Sequence, residues 1–221
     1  MKNVTDRTSN PFGMRPPCRH DCDGTVRRAV HGYGDANADF HLVGDHPGVH
    51  GGRTTGVPFT GSVAGERIQP ILNEVGLVGD AYSDEPAVAN LFLSYLHSCC
   101  LPEGREPTAA EYDDLERFFD AELRAIAAHV LLPVGERATR HVLREYTARE
   151  AVLDSRGMAA LHADHVPGRG FLVVPVREPT EWDDGDGERL AESLADLLAS
   201  DYRQTADLSR FLASDETYEV R

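Results

Sequence analysis

The sequence contains a single lysine, Lys2, so arginine supplies 21 of its 22 basic residues. Positive charge is scarce overall, because 37 acidic residues give the 221-residue chain a net charge of -15. The acidic residues are spread along the chain and the apolar residues between them keep a regular spacing, which argues against disorder. At molar salt the Debye length is about 3 Å, so the repulsion between these negative charges is largely screened. The composition therefore predicts a halophilic protein, and it is compatible with an anionic partner wherever arginines gather.

Long hydrophobic runs are also absent. No segment approaches the ~20 apolar residues that span a bilayer, and the first 17 residues lack the apolar centre of a signal peptide. We find no internal repeat, no low-complexity segment and no G-x-G-x-x-G after a strand, so no dinucleotide site is predicted. We expect a cytoplasmic monomer with a flexible segment at residues 1–17 and a single domain at residues 18–215.

Apolar periodicity alternates between strand-like and helix-like segments. The predicted strands are residues 38–43, 88–97, 130–135 and 170–176. The predicted helices are residues 63–75, 108–129, 136–146 and 187–209, the last being one helix or a helix pair, with an irregular stretch before the last strand. Thr108 and Glu111 have the spacing of a capping box. This rhythm predicts an α/β protein whose parallel sheet is covered by helices on both faces.

A long glycine-rich loop follows the first predicted strand, in the stretch FHLVGDHPGVHGGRTTGVPFTG at residues 40–61. A simple reversal would need two to five residues. Ligands of such sheets bind beyond the carboxyl ends of the strands, and we expect the later loops LHSCCLPEG and VREPTEW to converge on the same edge. Asp45 could orient a water molecule there, and Phe59 could stack on a planar ligand. The alternative is an ordered loop whose glycines only serve turns.

Histidines suggest a second hypothesis, a metal-dependent hydrolase. The candidates are His41, His46, His50, His162 and His165. His46 and His50 have i,i+4 spacing, which unites side chains only on a helix, and we expect the local Pro and Gly residues to forbid a helix. Histidines that brace loops or face solvent are the simpler alternative.

Two blocks of the sequence resemble families 4 and 5 of the uracil-DNA glycosylase superfamily. Residues 30–77 resemble a strand, a G-(E/x)-x-P-G loop and a T-G-x-P-F-x-G segment, and residues 99–143 resemble a cysteine and proline-rich turn, P-T-x-x-E and a G-x-x-A turn. The likeness covers roughly residues 18–200. It implies a three-layer α/β/α fold with a central, mostly parallel four-stranded sheet. It also implies an enzyme that flips uracil out of DNA and hydrolyses its N-glycosidic bond.

The resemblance implies a set of site residues. Asp45 stands where family 4 has glutamate in the water-activating loop. In the family's third block the motif H-P-S is replaced here by REP, so Arg177 stands at the position of the histidine. Arg177 would then stabilise the anionic leaving base. Counting back from Glu111 places the family's uracil-reading asparagine near Tyr95. Asn90 lies too far along the strand to replace it. The implied substrate-binding residues are Gly44, His46, Pro47, Gly48, His50, Phe59 and Tyr95.

Three function classes follow. The first is a DNA repair glycosylase that acts on DNA containing uracil or another deaminated base. The second is a catalytically weakened relative that binds nucleic acid or a damaged base without efficient cleavage. The third is an unrelated small-molecule hydrolase that uses the same cleft.

The cysteines are compatible with three different states. The resemblance implies a [4Fe-4S] cluster on four cysteines, which would be Cys18, Cys22, Cys99 and Cys100. The first pair is spaced C-x3-C instead of C-x2-C, the fourth family position falls near Leu115, and adjacent residues on a strand point to opposite faces. The second state is a zinc site that recruits His20, and the third is a set of reduced thiols without metal. We do not expect a disulfide in a cytoplasmic chain.

Overall fold

A computed structural model describes residues 3–4, 15–19, 28–126, 128–200, 205–206 and 218–219. Seven strands form one sheet in the order β1-β2-β4-β3-β5-β7-β6. The strands of this sheet are β1 Asn3–Val4, β2 Tyr33–Asp35, β3 Phe40–Gly44, β4 Leu91–Tyr95, β5 Val130–Pro133, β6 Val166–Gly168 and β7 Phe171–Val173. A separate antiparallel pair consists of β8 Thr205–Ala206 and β9 Tyr218–Glu219.

The helices of the described residues alternate with these strands. They are α1 Pro47–His50, α2 Val63–Glu74, α3 Ala109–Ile126, α4 Gly135–Val142, α5 Glu150–Arg156, α6 Met158–Leu161 and α7 Asp186–Ala199. A π-helical turn at Leu143–Thr147 extends α4, and a 3-10 turn occupies Pro179–Glu181. Within the described part of the chain, no helix has the length and apolar character needed to cross a membrane.

The predicted three-layer α/β/α fold is confirmed. Strands β4, β3, β5 and β7 pair in parallel and form the four-stranded centre of the sheet, while β2 and β6 pair antiparallel at its two sides. Every residue of β3 is buried, as expected for a strand with both faces covered. Leu42 belongs to the apolar core that includes residues of α2 and α7, and its neighbour Val43 belongs to the core that includes residues of α3 and α4.

Local sequence signals explain the start of α3. The Glu111 N–H donates to Thr108 Oγ1 at 3.4 Å, and the Thr108 N–H donates to Glu111 Oε2 at 2.9 Å. These two reciprocal bonds form the predicted capping box. The helix ends at Ile126, three residues before the predicted end.

Two local predictions are wrong. The loop after β3 does contain a helical turn, α1, because proline is well suited to the first position of a helix and His46 caps the turn by accepting a bond from the Gly48 N–H. The stretch before β7, predicted as irregular, contains α5, α6 and β6. Its short elements carry too few residues for a clear periodicity, and their order depends on packing against the sheet.

The three loops expected to converge do meet at the carboxyl edge of the sheet. The Leu96 and His97 N–H groups after β4 donate to the carbonyls of Gly44 and Asp45, each at 3.0 Å. The loop after β7 reaches the same place, because Glu178 Oε2 lies 3.0 Å from Nε2 of His50. This edge is therefore the candidate functional site.

Candidate active site

Asp45 is the first residue after β3, and both oxygens of its carboxylate have partners. Oδ1 accepts a short hydrogen bond from the Tyr112 hydroxyl of α3, and Oδ2 lies 3.4 Å from Nε of Arg137 in α4. The Arg137 guanidinium also lies over the Tyr112 ring, 4.7 Å from its centroid. The Asp45 side chain keeps 15% of its surface exposed. The carboxylate is thus fixed in direction and remains partly accessible to solvent.

Tyr112 acts as a hydrogen-bond donor to this carboxylate. Burial raises the pKa of the Tyr112 hydroxyl, and the negative charge of Asp45 raises it further. The hydroxyl therefore keeps its proton across the physiological range. A carboxylate held by one phenol and one guanidinium is oriented before any substrate arrives.

His50 connects Asp45 to the loop after β7. Its Nδ1 accepts a hydrogen bond from the Asp45 N–H at 2.9 Å, so the proton of the neutral ring is on Nε2, which donates to Glu178 Oε2 at 3.0 Å. Burial alone would raise the pKa of Glu178, but hydrogen bonds from His50 and Thr180 hold it below its ordinary value. Glu178 is therefore an ionised acceptor that fixes the His50 ring.

An aromatic stack lies beside this chain of bonds. The rings of His50 and Phe59 are stacked, with centroids 5.2 Å apart and planes 25° apart, and Tyr95 lies 5.5 Å from Phe59. The Tyr95 hydroxyl accepts from the Phe59 N–H at 2.8 Å and donates to the Gly51 carbonyl at 3.1 Å. Phe59 is 1% exposed. A planar ligand can use this face of Phe59 only after the His50 ring moves.

Glycine is required at two positions of the loop. A Cβ on Gly44 would lie 2.6 Å from the Tyr95 ring and 2.8 Å from Nδ1 of His50, and a Cβ on Gly48 would lie 2.7 Å from the His46 ring. All three distances are shorter than real Cβ contacts allow. The side chains around Asp45 therefore pack directly against bare backbone.

The structure separates His46 from His50. Nε2 of His46 lies 2.9 Å from Glu106 Oε2, and its Nδ1 accepts from the Gly48 N–H, so the ring braces the loop on the side of Glu106. Among the described residues, no group of three or more His, Cys, Asp or Glu side chains is placed to hold a metal ion. The histidines outside the loop also have separate partners: His41 contacts Ser94, and His165 contacts Ser193.

Arg177 lies apart from the bonds around Asp45. Its guanidinium pairs with Asp183 at 2.7 Å and Asp186 at 3.0 Å, while its backbone N–H donates to Nδ1 of His162. The next residue, Glu178, contacts His50 instead.

Sequence reasoning missed three side chains that shape this site: Tyr112, Arg137 and Glu178. Each had a signal. Tyr112 follows the capping-box residue Glu111, Arg137 lies in the first turn of α4 just after the carboxyl end of β5, and Glu178 lies in the loop VREPTEW that was expected to converge on this edge. Asn90 lies at the other end of β4, where it bonds Asp39. It therefore does not supply an amide at the carboxyl edge.

Comparison with known proteins agrees with this arrangement. The family model described as "Uracil DNA glycosylase superfamily" matches residues 31–188. The chain belongs to the uracil DNA glycosylase superfamily. A type-5 uracil-DNA glycosylase of Pyrobaculum aerophilum is 29% identical over 189 residues, which cover 84% of this chain and 80% of the relative. The type-5 enzyme of Thermus thermophilus is 32% identical over 152 residues, covering 66% and 67%, respectively.

A further relative matches a shorter part. The type-5 uracil-DNA glycosylase of Mycobacterium leprae is 32% identical over 122 residues, which cover 53% of each chain.

The described cysteines of this glycosylase superfamily member, Cys18, Cys99 and Cys100, do not form a group that could hold a metal ion. Cys18 and Cys99 form a disulfide, with Cα atoms 5.3 Å apart, so the expectation of no disulfide is wrong in the structure. Leu115 lines the same small pocket as these two cysteines and offers no metal ligand. Cys100 is buried in the apolar core with Tyr95.

The remaining cysteine hypotheses depend on residues outside the described part. Cys22, proposed for the cluster, and His20, proposed for a zinc site, both lie there. The disulfide connects the segment before β2 with the loop after β4, and His97 of that loop bonds the Asp45 carbonyl. Cross-linking at this position therefore supports the loop that carries Asp45.

Proposed function

We propose that this protein is a DNA glycosylase that hydrolyses the N-glycosidic bond of uracil or another deaminated base in DNA. The observation that carries the proposal is the Asp45 carboxylate, held between Tyr112 and Arg137 at the carboxyl edge of the sheet. The names of the type-5 relatives support the substrate class. The acidic surface supports a halophilic protein whose assays belong at high salt.

In the proposed mechanism, Asp45 orients a water molecule toward C1′ of the extruded nucleotide. The water oxygen forms a bond to C1′ as the bond between C1′ and the base nitrogen breaks, and the bonding electron pair leaves with the base. Asp45 takes the proton from the water. Tyr112 and Arg137 keep the carboxylate in one direction, so little rearrangement is needed when the reaction begins.

The extruded base is proposed to stack on Phe59. Since His50 covers that ring, binding requires the His50 side chain to move and its bond to Glu178 to break. Base binding in this site is therefore coupled to a side-chain rearrangement. Gly44, Pro47 and Gly48 are proposed to give the substrate close access to the loop, and Tyr95 to hold the loop through its hydroxyl.

Arg177 is proposed to stabilise negative charge on the departing base. Its guanidinium must first exchange Asp183 or Asp186 for the base, because it is paired with both. Arginine retains its proton under all assay conditions, so the charge itself is always present. This residue should affect the chemical step more than binding.

The proposal is tested by incubating the protein with single-stranded and duplex oligonucleotides that contain uracil, hypoxanthine or xanthine, at molar and at low salt. Alkali-labile strand breaks at the modified base are the expected product. Binding to these oligonucleotides without any base release would contradict the proposed enzyme and favour a catalytically weakened relative. Neither binding nor release on any of the substrates would contradict the proposed partner as well.

A further inference from the structure

A second cleft opens beside Asp45, between α3 and α4. Its volume is about 580 Å³, which is within the range of sites that bind one small molecule or one nucleotide. Tyr112 and Arg137, the two side chains that hold the Asp45 carboxylate, also line this cleft. Any strand whose target nucleotide reaches Asp45 therefore has a neighbouring nucleotide close to the cleft.

One wall of the cleft carries a stripe of arginines. Arg137, Arg140 and Arg144 are spaced three and four residues apart along α4 and the π-helical turn, so they project from one side of this segment. Arg144 is 54% exposed, and its guanidinium forms an ion pair with its neighbour Glu145. Guanidinium groups bind phosphate oxygens through paired donors.

The charge of the lining is balanced. The three arginines are opposed by three carboxylates in the same cleft: Asp113, Glu116 and Glu136. A lining of this kind does not attract a long track of phosphates, since each further phosphate would meet a carboxylate. It suits a ligand with one phosphate and a largely uncharged remainder.

The remainder of the lining is uncharged, partly aromatic and partly aliphatic, and it contains an unused polar group. Phe119 and His141 lie in the cleft wall with ring centroids 5.8 Å apart. Nε2 of His141 is buried and, within the described part of the chain, has no hydrogen-bond partner. A buried polar atom without a partner is costly. Burial lowers the pKa of His141, so the ring is neutral, and its Nε2 can donate or accept one hydrogen bond according to the tautomer, which suits a polar atom on the edge of a nucleobase.

We propose that the cleft between α3 and α4 binds the nucleotide that flanks the target base on the same DNA strand, with its phosphate on Arg144 and its base against His141. The inference rests on the proposed function, because it takes its ligand from the strand presented to Asp45. It assigns the contact to one nucleotide, consistent with the size and the balanced charge of the cleft.

The test uses the full-length protein and oligonucleotides in which a stable abasic analogue occupies the target position. In a series of such oligonucleotides, the base is also removed from one flanking nucleotide at a time. Removal at one particular flank should weaken binding to the native protein by roughly five- to fiftyfold, as expected for loss of one stacked base. The same removal should have almost no effect on the His141→Ala variant. Equal effects in both proteins would overturn the contact with His141.

The phosphate contact has its own measurement and a matched control. Arg144→Ala should weaken binding and reduce the slope of log affinity against log salt by about one. Arg124→Ala is the control, because Arg124 is also an exposed arginine paired with one carboxylate, Asp120, and it does not line the cleft. An unchanged slope in Arg144→Ala, or an equal change in both variants, would overturn the phosphate contact.

Base release by the native protein is measured on the same sequences, with uracil at the target position. If the native protein releases uracil but neither variant behaves as described, the cleft proposal is wrong and the proposed function stands. If the native protein releases no base from any deaminated substrate, the proposed function has failed, and the binding series alone decides whether the cleft holds a nucleotide. Variant folding is checked by thermal unfolding.

Discussion

His50 Nδ1 accepts a hydrogen bond from the backbone N–H of Asp45 at 2.9 Å. This bond fixes the ring proton on Nε2, where Glu178 accepts it, so the loop after β3 and the loop after β7 are joined through one imidazole. The backbone that carries the Asp45 carboxylate is therefore held from both sides. Loss of either hydrogen bond of His50 should change the position of Asp45 and of the His50 ring that stacks on Phe59.

The first prediction concerns Glu178. Glu178→Ala removes the acceptor for His50 and should lower the single-turnover rate of base release by about ten- to a hundredfold, because small displacements of reacting groups are costly. Glu178→Gln retains an acceptor oxygen and should keep most of the rate. Glu181→Ala, an exposed neighbour, is the control. If Glu178→Ala matches the control, the His50 bridge has no role in positioning.

The second prediction concerns Asp45. Asp45→Asn retains the size of the side chain but loses its capacity to accept a proton, so base release should fall by roughly a hundredfold or more. Binding to DNA with an abasic analogue should remain nearly unchanged. Asp80→Asn, which alters an exposed residue away from the site, controls for the loss of one charge. Full activity in Asp45→Asn would remove this residue from the mechanism.

Much of this arrangement could be predicted from the sequence. The buried strands, the capping box of α3 and the convergence of three loops follow from periodicity and from the geometry of parallel sheets. The partners of Asp45 could not be predicted in the same way. Tyr112 and Arg137 are brought to Asp45 by the packing of α3 and α4 on the sheet, and neither residue lies near it in sequence.

Short-range rules also failed where two effects competed. Pro47 and the glycines around it predicted an irregular loop, yet a proline at the first helical position is favourable and His46 supplies the cap. The Cys18–Cys99 disulfide was not expected from composition, because pairing depends on the approach of the segment before β2 to the loop after β4. Such contacts are set by tertiary structure.

The third prediction separates Phe59 from Arg177. Phe59→Ala should weaken capture of an extruded base by roughly ten- to a hundredfold, because one stacked base is worth about 1–3 kcal/mol. Arg177→Ala should lower the single-turnover rate more than affinity. Both variants are measured for binding and release on one uracil substrate. A uniform loss of affinity in Arg177→Ala, with an unchanged rate and a shallower salt dependence, would instead indicate a phosphate contact.

The fourth prediction concerns the cysteines. Since Cys18 and Cys99 are joined and Leu115 offers no ligand, protein purified without oxygen should contain less than one iron per chain and show no broad absorbance near 400 nm. Thiol titration after unfolding without reductant should find two fewer thiols than after reduction. Cys99→Ser should abolish that difference. Stoichiometric iron, bleached by Cys18→Ser, would contradict the disulfide and restore the cluster hypothesis.

The last prediction concerns a buried carboxyl group outside the site. Glu122 of α3 is buried, and burial raises its pKa to about 7, against hydrogen bonds from Ser94 and the Gly32 N–H that lower it. Ser94 also bonds His41, whose pKa is lowered to about 3 by burial. Burial thus favours the neutral form of both groups, which is the protonated carboxyl of Glu122 and the deprotonated imidazole of His41.

The two groups have opposite effects on stability. Between about pH 4.5 and 7 the folded protein keeps the Glu122 proton that the unfolded chain releases, so this group's contribution falls as pH rises. His41 contributes stability that increases with pH between about 3 and 6.5, since the unfolded chain binds its proton there. Glu122→Gln removes the contribution of Glu122 and leaves that of His41. The difference in unfolding free energy between the variant and the native protein therefore reports on Glu122 alone.

Glu122→Gln should therefore gain stability relative to the native protein as pH rises from 5 to 8, by roughly 3 kcal/mol in total, and the difference should be constant above about pH 8. Urea unfolding at four pH values and constant high salt measures it. Glu74→Gln, at an exposed position of α2, should show a difference that does not depend on pH in this range. A flat difference for Glu122→Gln would mean that Glu122 ionises in the folded protein as easily as in water, and that its raised pKa is wrong.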